Sequence, residues 1–93
     1  MAGACSTAVM PRFFFHMVND TYSVLDEEGQ DVADSEAACV VARRTIGEMI
    51  AQEVTAGSNL VHLAIMIDDQ AGVRIANVKA VANIVIAEGP LSP

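Results

Sequence analysis

With 93 residues the chain has room for a single domain, whose core hides only about 60–65% of the surface that its unfolded form exposes. Its 12 acids against 5 bases give a net charge of −7, and the bases are scattered apart from Arg43-Arg44. Nucleic-acid binding depends mainly on neutralising phosphates, so that class of partner is not expected here. Hydrophobic residues make up 53% of the chain, yet no apolar run approaches the ~18–20 residues that cross a bilayer. The apolar surplus is therefore expected at a subunit interface rather than in a membrane.

Residues 1–9 lack the positive start and long apolar centre of a signal peptide. They are expected to form a disordered extension before Met10, a second start methionine, and the expected compartment is the cytoplasm. The two cysteines, Cys5 and Cys39, make neither a disulfide framework nor a metal site. Cys39 lies in an Ala/Val-rich helical stretch and is expected to be a buried, inert thiol.

A strand with two apolar faces opens the domain. Over residues 11–18, Phe13, Phe15 and Met17 point one way, and Arg12, Phe14, His16 and Val18 the other. Asn19-Asp20-Thr21 is a turn, and Tyr22–Leu25 the second strand of a hairpin. Half of the acids, six of 12, then fall between Asp26 and Glu36, with Gly29 suited to a positive φ. Asp34 or Ser35 is a natural N-cap, and Glu36 complements the dipole of the helix that follows.

That helix runs to about Ala56, with Ala38, Val41, Ala42, Thr45, Ile46, Met49, Ile50 and Val54 forming a buried stripe. Arg43, Arg44, Glu48 and Gln52 take the wetter side, and Arg44 and Glu48 stand at ion-pair spacing. Gly47 weakens the middle by about 1 kcal/mol relative to Ala unless close packing requires it. Gly57 ends the helix as its C′ residue. Residues 60–67 form the next strand, with Val61, Leu63, Ile65 and Ile67 on one face and His62, Ala64 and Met66 on the other. A hairpin loop, 68–72, leads to a last strand from Val73 to about Val78. Residues 79–86 can make another short strand or a turn, and 88–93 form a flexible tail.

The expected architecture is α+β, in the order β-β-α-β-β: a four-stranded, mainly antiparallel sheet with one long helix on one face, in a single domain over residues 10–87. One helix covers one face, so the other is either wet or meets a second copy.

Pro11-Arg12-Phe13-Phe14-Phe15-His16, Asp26-Glu27-Glu28-Gly29, Asp34 with Glu36-Ala37-Ala38, and Ile65 to Gly72 together resemble a family of small bacterial proteins of unknown function. These are frequent in alphaproteobacteria and open with a Met-Pro-Arg-Phe-aromatic-Phe-His strand. The resemblance covers about residues 10–86 and implies no catalytic residue or ligand.

The chemistry-bearing residues have no motif around them. His16 has the residue type of a general base or metal ligand, and neighbouring strands would bring His62 onto its face; a stretch of acids follows at Asp26, Glu27, Glu28, Asp31 and Asp34. A calcium loop needs glycine at its sixth position, whereas Gly29 is fourth from Asp26. No serine or cysteine sits in a nucleophile elbow, and no glycine-rich phosphate loop exists. The leading expectation is a non-enzymatic domain acting through protein contacts, self-associating as a homodimer through Phe14, His16, Met66, Tyr22 and His62, with no cofactor. The alternative is a small-ligand or divalent-metal site built from His16, His62 and the acidic loop. An enzyme using His16 with Asp20 or Asp26 ranks third.

Overall fold

The computed structural model describes residues 10–89, and the expectations for residues 1–9 and 90–93 lie outside the described residues. Five strands and one helix follow in the order β1 (Arg12–Asn19), β2 (Ser23–Val24), β3 (Gln30–Asp31), α1 (Ser35–Thr55), β4 (Leu60–Asp68) and β5 (Arg74–Asn83). The sheet is antiparallel throughout, in the order β2-β1-β4-β5, with β3 also pairing β1. The α+β class and the helix packed against the sheet are as the sequence predicts.

Period-two alternation decides the core. Phe13 is buried on β1, and Val61, Leu63, Ile65 and Ile67 on β4. Register sets Phe15 opposite Ile67 and Met17 opposite Ile65, so the odd-numbered residues of both strands share the helix face. Across β5, Ala76, Val78, Ala80 and Ala82 complete that face. Helix α1 lies over β4 and β5, with Ala38, Ala42 and Ile46 fully buried between them. Small residues there let the helix axis approach the sheet closely, while Val41, Thr45, Met49, Ile50 and Val54 are only half-buried along its flanks.

The helix ends follow their local chemistry. The Asp34 carboxylate accepts the Ala37 N–H at 2.8 Å, satisfying an otherwise orphan donor. At the far end Ser58 N–H donates to Glu53 O and Gly57 N–H to Val54 O, a Schellman closure that requires the positive φ of Gly57 (109°). Arg44 and Glu48, although suitably spaced, form no ion pair. Cys39 is half-buried rather than buried, because it stands at the flank of the helix above the β5 edge.

Two segments differ from the sequence reading. The second strand shrinks to Ser23–Val24 and a second short strand, β3, takes up pairing at Gln30–Asp31. Both run antiparallel to β1 along the same outer edge, so they are one edge strand interrupted by residues 25–29. Asp26 causes the break: its carboxylate accepts the outward Phe15 N–H at 3.1 Å, occupying the rung that a continuous strand would use. The last strand, in turn, runs on to Asn83 and pairs with β4 as far back as Leu60. Residues 84–89 form no further strand.

Candidate functional site

The sheet face turned away from α1 collects most of the residues that carry chemistry. Its even-numbered positions on β1 are Arg12, Phe14, His16 and Val18; on β4 they are Leu60, His62, Ala64, Met66 and Asp68. Opposite β4, β5 adds Arg74, Asn77, Lys79 and Val81. In this acidic chain, three of the five bases and both histidines thus stand on one face.

A polar network ties the lower half of this face together. His16 Nε2 and Asp68 Oδ2 are 3.2 Å apart, and the other Asp68 oxygen accepts from Arg74 Nε. Arg74 also reaches the Met66 sulfur at 3.2 Å. On its other side, His16 Nδ1 accepts the Asp26 N–H at 3.1 Å. This assignment puts the proton of the neutral ring on Nε2, where it is donated to Asp68. Both ring nitrogens are therefore engaged by groups of the domain itself.

The acidic loop closes over this network. Asp26 Oδ1 accepts from Glu28 N–H at 3.2 Å and from Gly29 N–H at 3.0 Å. Burial acts to raise the Asp26 pKa, but the N–H donors of Gly29, Phe15 and Glu28, with the nearby His16, outweigh it and hold the carboxyl below its ordinary value. Asp68 is lowered as well, chiefly by the hydrogen bond from Arg74. Gly29 (φ 75°) presses onto β1: a Cβ there would stand 2.8 Å from Phe13 O and 3.0 Å from the Phe14 ring. Arg12 fixes the other end of the loop, bonding Asp31 through Nε at 2.9 Å and the Glu28 carbonyl through a terminal nitrogen at 2.7 Å.

The loop changes the standing of several predicted site residues. Phe14 and His16 are half-buried beneath it rather than bare. Met66 is half-buried beside Arg74, whereas Tyr22 and His62 are exposed. Register sets His16 against Met66, four residues along β4 from His62, a separation of about 13 Å at strand spacing, so the two histidines do not meet. The acids have local tasks: Asp26 binds three backbone N–H groups, Asp31 pairs Arg12, Asp34 caps α1, and Asp69 accepts the Ala71 and Val73 N–H groups of its own turn. Among the described residues no group of three His, Cys, Asp or Glu side chains is placed to hold a metal ion.

Among the described residues nothing covers the upper half of the face. Ala64 forms the floor of a shallow depression of about 170 Å3 whose sides include Val18, His62, Lys79 and Val81. Leu60 and Val81 are 58% and 64% exposed, large apolar side chains with no layer above them. Residues 12–82 match the model of a domain of unknown function, DUF6894. The chain belongs to the DUF6894 family. No curated protein and no solved structure matches it. The DUF6894 match takes in β1 to β4 and most of β5, so the network and the uncovered patch both fall inside the family domain. Among the described residues no helix is long and apolar enough to cross a membrane.

Proposed function

We propose that this DUF6894 domain is a non-catalytic protein-contact module that self-associates. The observation that carries the reading is the uncovered half of the outer face, where Leu60, Val81 and the Ala64 depression stand without a covering layer. A depression of about 170 Å3 is smaller than the ~300–1,000 Å3 of ordinary small-molecule pockets and suits a protruding side chain better. Exposed apolar patches of this kind mark protein interaction surfaces. His16 is poorly placed for catalysis. A general base needs a free lone pair within reach of a substrate, and the Nδ1 lone pair of His16 is already engaged by Asp26 N–H.

Light scattering on the full chain, eluting from a sizing column at several concentrations, tests the proposal. A species of twice the chain mass is expected. A monomer at every concentration would overturn self-association.

A further inference from the structure

We infer that two copies pair edge to edge through β5, with their α1 helices meeting across the same two-fold axis. This inference rests on the self-association proposed above and assigns the contact to the sheet edge and the helix flank; the outer patch is extended by the pairing rather than covered by it. The strand β5 spans Arg74–Asn83 at the margin of the sheet, with β4 on one side and, among the described residues, no strand on the other. The Ile84 N–H donates to Asn59 O at 2.7 Å, which fixes the phase of the ladder. Even-numbered residues from Ala76 to Ala82 turn their N–H and C=O groups toward β4, and Asn77, Lys79, Val81 and Asn83 turn theirs outward. An edge of this length, carrying one ammonium group near its middle and no proline, is a template for another strand.

A second copy of the same edge satisfies those groups. An antiparallel pairing centred on Val78 sets Asn77 opposite Lys79 and Ala76 opposite Ala80. The neighbouring register, centred on Lys79, would oppose two ammonium groups and is disfavoured. The pairing also settles where the helices go. Helix α1 lies over β4 and β5, strands stand about 4.8 Å apart, and two such helices related by the edge axis come to about 10 Å. Packed helices ordinarily stand 8–10 Å apart, so joining the edges brings the helices into contact without any rearrangement.

The helix flank that would make that contact is suited to it. A cleft of about 260 Å3 above the β5 edge is lined by Glu36, Cys39, Val40, Arg43 and Val78. Val40 is 55% exposed in the single chain. Among the described residues, Glu36 and Arg43 have no ion-pair partner. Antiparallel helices crossing at Val40 bring Glu36 of each copy to the Arg43-Arg44 turn of the other, an isologous and charge-matched contact. The joined sheets also merge the two uncovered outer patches, because Val81 lies on both the edge and the patch.

Amide hydrogen exchange on the full-length wild type, at a concentration where light scattering reports two chains, reads the edge directly. Protection at Asn77, Lys79 and Val81 matching that of their inward neighbours is expected. Two variants accompany it. Lys79→Pro removes one outward N–H and none that β4 uses, and Val40→Arg places a charge at the helix crossing on an already exposed position. Both should elute as folded monomers with unchanged circular dichroism. Should Lys79→Pro fail to fold, Val40→Arg decides alone. A dimer whose outward β5 amides exchange freely, or a folded variant that stays dimeric, would overturn the edge assignment while leaving self-association standing. A wild type that is monomeric throughout would overturn both.

Discussion

The Asp26 carboxylate holds the Phe15 N–H at 3.1 Å, replacing a strand rung with a side chain. The same carboxylate takes the Glu28 and Gly29 N–H groups, so one acid organises the whole excursion of the edge. Removing it leaves three donors without their partner. Asp26→Ala should cost about 2 kcal/mol, in the range measured for hydrogen bonds to charged groups, and Asp26→Asn less, because its amide oxygen still accepts. Urea denaturation checks both, and an Asp26→Ala variant as stable as wild type would contradict the loop's role.

The lowered carboxyls predict an acid limit. Asp26 and Asp68 both have folded-state pKa values below the ordinary 3.8, so between the two values the unfolded chain binds more protons than the folded one. Their stabilisation is complete above the ordinary value and is lost as the pH falls through the lowered one. The melting temperature should therefore drop below about pH 4. An Asp26→Asn/Asp68→Asn double variant should show a shallower decline over the same range. Parallel curves would exclude these two groups as its source.

Two glycines should respond to alanine with opposite signs. Gly47 sits mid-helix with nothing within 4 Å of an added Cβ, and Gly47→Ala should stabilise by about 0.5–1 kcal/mol. Gly29→Ala combines a positive φ with a 2.8 Å approach to Phe13 O and should destabilise by about 1–3 kcal/mol. Thermal melts of the two variants beside wild type suffice, and a shift of the same sign in both would count against the backbone geometry described.

The core prediction is conventional in size but specific in place. Ile67 is fully buried opposite Phe15 and Ala76, and Ile67→Ala should cost about 2–5 kcal/mol, whereas His62→Ala on the exposed face of the same strand should change stability by less than about 0.5 kcal/mol. Denaturant midpoints measure the contrast.

The parts of this fold legible in sequence are those set by short-range rules. Alternation over Phe13, Phe15 and Met17, and over Val61 to Ile67, assigns faces because strand side chains repeat every two residues. Asp34 and Gly57 mark the helix ends because capping needs a side-chain acceptor at one end and a left-handed residue at the other. The interruption at Asp26 was hidden, since whether a carboxylate binds its own turn or a strand across from it depends on where that strand lies. The reach of β5 was hidden as well: Asn77, Lys79 and the alanines beside them have weak strand preference, and pairing with β4 overrides it. The His16–Asp68–Arg74 network joins residues up to 58 positions apart and exists only through register; Asp68, which reads in sequence as the start of a hairpin loop, instead ends β4 opposite Phe14 and Arg74.

The two margins of the sheet are unlike, and that difference sets how far assembly can proceed. Along β1 the edge is blunted by two-residue strands, an intervening loop and side-chain hydrogen bonds, so an incoming strand finds no continuous ladder to join. Among the described residues the β5 margin is the one left open, and the two-fold pairing inferred above would use it up in both partners at once. On the edge pairing inferred above, a molecule built with one receptive margin and one blunted one would pair without adding further strands.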